Sequence, residues 1–181
     1  MATMGGSVAR RYAKAIFAIG VDKGNFEILG RQLSELADLW KESEALRQTL
    51  ENPVFKLSQK RAVLQGLMPR LAPARQVQSL ALLLLERGRI ASLPAIARAY
   101  EEMCDEKLGR VRARVLSASP LDIASEAEIR KAIERRTGKK VLMTTVVDPT
   151  LIGGVVTHVA GMVLDGSVAS RLSNLKNRLL N

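Results

Sequence analysis

The sequence predicts an α+β protein: an amino-terminal six-helix bundle followed by a small α/β domain of order βαβββα, a sheet covered by helices. Two observations of composition carry this. Val, Ile and Thr, whose branching at Cβ favours strands, number 12 in residues 1–110 but 19 in residues 111–181. All six aromatic residues, Tyr12, Phe17, Phe26, Trp40, Phe55 and Tyr100, lie in the first part. The third observation is spacing. Apolar residues recur three or four apart before residue 110, whereas Val111, Ala113 and Val115 alternate just beyond it. The change of character implies two domains, 1–106 and 107–181, joined at Lys107-Leu108-Gly109-Arg110.

In the first part, Ser7 is placed to cap a helix carrying Val8, Tyr12, Ala15, Ile16 and Ile19, with Gly20 and Gly24 ending it. Phe26, Leu29, Leu33, Leu36 and Trp40 form the single stripe of a second helix. A short third helix from Glu44 to Leu50 stops ahead of Asn52-Pro53, because proline disfavours helix in the residue before it. Ser58 is the cap expected for a fourth, with Val63, Leu64 and Leu67 inside and Pro69 closing it. Pro73 suits the first turn of a fifth, which runs to about Arg87 with Gly88 as a left-handed cap. Ser92 and Pro94 open the sixth, with Ile96, Tyr100, Met103 and Leu108 on one face.

In the second part, Pro120 ends the strand that begins at Val111. Asp122 or Ser125 caps the next helix, and Gly138 closes it. Lys140 to Val147, Val155 to Ala160 and Met162 to Leu164 read as three further strands, with turn chemistry at Asp148-Pro149 and Gly153-Gly154. Ser167 then caps a last helix with Val168, Leu172, Leu175 and Leu179 as its stripe.

A search for chemistry returns almost nothing. Cys104 is the one cysteine and His158 the one histidine, which excludes a disulfide framework, a cysteine zinc cluster and any site built on two imidazoles. No two of the thirteen glycines are two or three apart, so dinucleotide and KH-type glycine motifs are absent, and no glycine is followed by Lys-Ser or Lys-Thr, so the Walker loop is absent too. Cys104 stands beside Glu102, Asp105 and Glu106, neighbours that raise a thiol's pKa rather than activate it. His158 sits between Thr157 and Val159 in a strand, with no spacing that identifies a nucleophile or an orienting partner. Asp148 and Asp165 are isolated turn carboxylates. The expectation is therefore no catalytic residue, no cofactor and no metal.

The charge raises another possibility. Twenty-eight Lys and Arg against 18 Asp and Glu give a net charge of +10, and the densest group is Arg130, Lys131, Arg135, Arg136, Lys139 and Lys140. A basic nucleic-acid-binding protein is the rival reading, with some other helical adaptor beside it. Against nucleic acid, residues 111–181 hold no aromatic platform for base stacking. The charge is also spread over both parts. No apolar run approaches the roughly 20 residues of a membrane span. The basic residues Arg10, Arg11 and Lys14 ahead of Ala15–Ile19 imitate a signal peptide but lead to no small-residue cleavage site.

The positive signal concerns surface. Leu80-Ala81-Leu82-Leu83-Leu84-Leu85 is apolar around its helix, as is Ala15-Ile16-Phe17-Ala18-Ile19. Such a helix is either sheathed by its neighbours or packed on one side and open to a partner's amphipathic helix on another. Burying two leucines and an isoleucine in such a groove contributes roughly 4–9 kcal/mol gross.

Val8-Ala9-Arg10-Arg11-Tyr12-Ala13-Lys14-Ala15-Ile16-Phe17 resembles the amino-terminal signature of the delta subunit of the rotary F-type ATP synthase, the bacterial relative of the mitochondrial oligomycin-sensitivity-conferring protein. The resemblance continues through Asn52-Pro53, Glu86-Arg87-Gly88-Arg89 and Ser117-Ala118-Ser119-Pro120-Leu121. It is strongest at Asp148 to Gly154 and Gly161 to Val168, and it ends at Arg171-Leu172. It implies a non-catalytic stator subunit, one copy per complex, that joins the catalytic hexamer to the peripheral stalk and resists rotor torque during proton-driven ATP synthesis. The location implied is peripheral, on the cytoplasmic face of the bacterial plasma membrane, without insertion into it. The partners implied are the amino-terminal helix of an alpha subunit, in a groove between the first and fifth helices, and the carboxyl-terminal ends of the b subunits, on the second domain. Tyr12, Ala15, Ile16, Ile19, Leu80, Ala81 and Leu84 are the residues expected near the groove. Gly153, Gly154, Asp165, Gly166 and Ser167 are expected to shape turns of the second domain.

Overall fold

The computed structural model describes residues 4–151, 153–159 and 162–165. The chain combines helices with a four-stranded sheet and divides into two compact units, Met1–Cys104 and Asp105–Asn181. The division falls two residues ahead of the expected boundary. Within the second unit, the Asp105 carboxylate pairs with Arg110 and Arg112.

The first unit holds α1 (Met4–Asp22), α2 (Phe26–Glu42), α3 (Glu44–Glu51), α4 (Leu57–Leu71) and α5 (Arg75–Glu86). A short 3-10 turn, Ile90–Ser92, then leads into α6 (Leu93–Lys107), whose last three residues fall in the second unit. The centre is α2, which packs against α1, α3, α4 and α5. Its stripe Leu29, Leu33, Leu36, Ala37 and Trp40 is buried, as the three-and-four spacing requires. From α6, Ile96 and Tyr100 are wholly enclosed, and the Tyr100 hydroxyl donates to the Phe26 carbonyl at 2.9 Å. Phe17 sets its ring edge against both Phe26 and Tyr100, with centroids 5.9 and 5.5 Å apart.

Several helix ends differ from the sequence expectation. α1 begins before Ser7 and continues through Gly20, so neither residue stands at an end of the helix. Gly20 is instead a contact residue, since a Cβ there would lie 2.9 Å from the Phe26 Cα. α4 begins at Leu57 rather than after Ser58, and Gln59 Oε1 accepts from the Lys56 amide at 2.9 Å. Pro69 lies inside α4, near its end, and Pro73 precedes α5 rather than joining its first turn. Gly88 does close α5, at φ 62°. The Arg89 amide returns to the Leu84 carbonyl at 2.7 Å and the Gly88 amide to Leu85 at 3.1 Å, the bond pair of a Schellman motif.

The second unit holds β1 (Arg110–Ser117), α7 (Ile123–Thr137), β2 (Lys140–Val147), β3 (Val155–Val159) and β4 (Met162–Asp165). The sheet order is β2-β1-β3-β4. β1 and β2 run parallel, from Arg110 opposite Lys140 to Ser117 opposite Val147. A parallel pair needs a crossover, which α7 provides. β1–β3 and β3–β4 are antiparallel. Val111, Ala113, Val141 and Val159 pack with Ile133 of α7 on one face. Asp122 caps α7, its Oδ1 accepting from the Ser125 amide at 2.7 Å. That bond, together with the Ser125 side chain, holds the carboxyl below its ordinary pKa. Asp165 closes β4 opposite Val156. The helix expected from Ser167 lies outside the described residues, as do Gly166 and Ser167.

Candidate functional site

Both α1 and α5 lean on α2, and between them lies a cleft of about 430 Å³. From α1 it is lined by Tyr12, Ala15, Ile16 and Ile19, with Lys23 just past the helix end. From α5 it is lined by Arg75, Gln76, Ser79, Leu80 and Leu83. Ile19 and Leu83 are 43% and 39% exposed, large apolar side chains left open to water. Ile16 and Leu80 are buried and form the floor. Tyr12 is fixed at one end, where its phenol oxygen accepts from Arg89 Nη1 at 3.2 Å. The Schellman turn at Gly88 delivers that arginine.

Five of the seven residues expected at the groove line this cleft: Tyr12, Ala15, Ile16, Ile19 and Leu80. Ala81 and Leu84 do not. Both are fully buried in the core of the first unit, on the side of α5 that faces its neighbours. The reason is rotational. Val77, Leu80, Ala81 and Leu84 are all apolar at offsets of three, four and seven, and that stripe is the core. Gln76, Ser79, Leu80 and Leu83 repeat the same spacing one residue earlier, about 100° round the helix, and mix polar with apolar. A mixed stripe beside a wholly apolar one is what a cleft wall requires. That signal identifies Gln76, Ser79 and Leu83, which the sequence reading passes over together with Lys23 and Arg75.

Of the remaining candidates, His158 and Asp148 share the lining of an open cleft of about 530 Å³ in the second unit, with Arg114. Cys104 is buried, with its sulfur 3.9 Å from the Phe26 carbonyl oxygen. Burial pushes the Tyr100 phenol well above its ordinary pKa, and Cys104 adds to that. His158 is exposed on β3 opposite Arg114 of β1. Asp148 makes a turn, accepting from the Thr150 hydroxyl at 2.6 Å and its amide at 3.0 Å, which together lower its pKa. Gly153 and Gly154 occupy the bend between β2 and β3. Among the described residues, no group of three or more His, Cys, Asp or Glu is placed to hold a metal ion.

Residues 8–179 match the family described as ATP synthase delta (OSCP) subunit. A protein named ATP synthase subunit delta from Anaeromyxobacter dehalogenans is 40% identical over 174 residues, covering 96% of this chain and 97% of that one. A protein of the same name from Geobacter sp. is 39% identical over 173 residues, covering 96% of each. Among solved structures, a chain of the Toxoplasma gondii mitochondrial ATP synthase hexamer, determined by cryo-EM, superposes with a TM-score of 0.75 at 27% identity. That alignment covers 99% of this chain and 98% of the other.

Proposed function

The chain belongs to the ATP synthase delta (OSCP) subunit family, and from that premise we propose how its surfaces do the work of a stator. It is a stator subunit of an F-type ATP synthase and links the catalytic hexamer to the peripheral stalk. The first unit, a six-helix bundle, takes the amino-terminal helix of an alpha subunit in the α1–α5 cleft. The second unit meets the carboxyl-terminal ends of the b subunits. One copy serves each complex. The mechanism is mechanical: apolar burial on one unit and a second attachment on the other resist the torque of the rotor during proton-driven ATP synthesis. No step of it requires a side chain of this chain to be acylated, phosphorylated or oxidised, so the role is non-catalytic. Among the described residues no helix is long and apolar enough to cross a membrane. The proposed location is peripheral, on the cytoplasmic face of the plasma membrane and held there by partners.

The observation that carries this reading is the cleft itself. An amphipathic helix laid along it covers Ile19 and Leu83, the two large exposed apolar side chains of its walls. Binding energy then comes from surface that folding leaves uncovered. The test is calorimetry with the amino-terminal peptide of the cognate alpha subunit. Ile19→Asp with Leu83→Asp places two carboxylates in the cleft without touching the core. Loss of binding with an unchanged melting temperature is the expected result. Unchanged affinity sinks the cleft as the alpha-subunit site.

A further inference from the structure

We propose that Lys23 and Arg75 read a carboxylate at one end of the α1–α5 cleft, so that the cleft selects an amphipathic helix acidic at that end. This rests on the cleft being the alpha-subunit site and adds what chemistry its occupant must carry.

Ten residues line the cleft, and their formal charges are Lys23 and Arg75 alone; no carboxylate is among them. Both cations are exposed, and neither has an ion-pair partner among the described residues. Asp22, next in sequence to Lys23, is not part of the lining. The two come together because α1 ends where α5 begins. The first turn of α5 adds no compensating charge: its cap residue is Ala74, with no side-chain bond, and the turn holds no acidic residue. The positive end of that helix dipole therefore reinforces the pair.

At the other end, Arg89 is already engaged with the Tyr12 hydroxyl. Arg89 keeps its charge there, since the phenol is neutral, so the cleft has two lining cations at one end, one flanking cation at the other, and an apolar middle of Ala15, Ile16, Ile19, Leu80 and Leu83. Tyr12 to Lys23 is eleven residues of helical rise, about 16 Å. An occupant of about three turns fills that length, with its apolar stripe over the middle. A carboxylate in the turn that reaches Lys23 and Arg75 biases which way the helix runs, since the reversed helix exchanges two uncommitted cations for the single Arg89, part of whose donor set is taken by Tyr12. Charges at a rim govern orientation and association rate more than total affinity.

The test compares the wild-type protein with Lys23→Glu/Arg75→Glu. The ligands are the amino-terminal peptide of the cognate alpha subunit and a copy with every Asp and Glu replaced by Asn and Gln. We expect the wild type to bind the acidic peptide about three- to tenfold more tightly than the neutral copy at low salt, with the preference fading at high salt. The double variant loses the preference and binds the neutral copy as the wild type does. Equal affinity of the wild type for both peptides at low salt overturns the inference while leaving the cleft reading intact. A defect in the variant that covers both peptides and persists at high salt is a structural lesion and also overturns it. Failure of the wild type to bind either peptide overturns the alpha-subunit reading and this inference with it.

Discussion

Gly20 of α1 faces the Tyr100 hydroxyl so closely that a Cβ on Gly20 would stand 2.8 Å from that oxygen. The same Cβ would meet the Phe26 Cα at 2.9 Å, and backbone cannot swing aside as a flexible side chain does. Glycine normally weakens a helix interior by roughly 0.5–1 kcal/mol relative to alanine. Here the sign reverses. Gly20→Ala is expected to destabilise the protein by about 1–3 kcal/mol through overpacking, read as a lower denaturant midpoint. A rise in stability on this substitution would show that α1 and α2 can part at no cost.

Tyr100→Phe separates the ring from its hydroxyl. The Phe26 carbonyl loses one of its donors, which costs about 1–2 kcal/mol at neutral pH. The folded-state pKa of this phenol is raised by burial. Its contribution is therefore complete below the pKa of the unfolded phenol and is lost as pH climbs through the folded value, because only the unfolded chain ionises easily. Wild-type stability should fall from about pH 10 upward, and Tyr100→Phe should flatten that part of the profile. Parallel alkaline slopes in the two proteins would contradict it.

Leu83→Ala and Leu84→Ala form a matched pair one residue apart. Leu84 is wholly buried, so its truncation should cost about 2–5 kcal/mol of stability. Leu83 is a cleft wall, and Leu83→Ala should leave stability within about 0.5 kcal/mol while weakening alpha-subunit peptide binding. Thermal melts beside calorimetry distinguish them. An interchange of the two effects would mean the rotation of α5 is wrong.

Asp105 is a buried carboxylate, 6% exposed. It accepts from Arg112 Nε at 2.6 Å, and Arg110 Nε lies 3.3 Å from its other oxygen, an ion contact without hydrogen-bond geometry. Arg112 is itself largely in water, so screening weakens the pair. Asp105→Ala is expected to cost about 1–3 kcal/mol, and Asp105→Asn to recover part of it by keeping an acceptor. Denaturation of the full chain measures both. Equal losses for the two variants would show that charge, not hydrogen bonding, is what matters at this position.

The stripes of α2 and β1 are legible in the sequence because burial repeats a short apolar period, and tertiary packing obeys it. The helix ends are less so. Ser7 and Gly20 carry the residue types of a cap and a stop. However, α1 extends through both, because the space beside Gly20 is needed for Phe26 and Tyr100. At the cleft, Tyr12, Ala15 and Ile19 of α1 lie along one side of the apolar stripe that the sequence shows. On α5 every position from Leu80 to Leu85 is apolar, so hydrophobicity alone cannot show which 100° of arc faces the neighbours. The polar residues one turn earlier, Gln76 and Ser79, hold that information. Lys23 and Arg75 cannot be joined by sequence at all, since only the antiparallel course of α1 and α5 makes them neighbours.

The walls of the cleft are far apart along the chain. Ile16 leaves the ribosome 64 residues before Leu80, a lag of roughly 3–13 s at ordinary rates of synthesis. For that interval α1 has α2 to rest on but no α5 beside it, and the cleft has one wall. A ribosome-bound chain halted short of α5 should leave Ile16 open to protease, and one halted beyond α6 should not. The attachment surface thus has a birth date in translation: no partner helix can seat before the fifth helix has emerged, which separates the making of this subunit from its assembly.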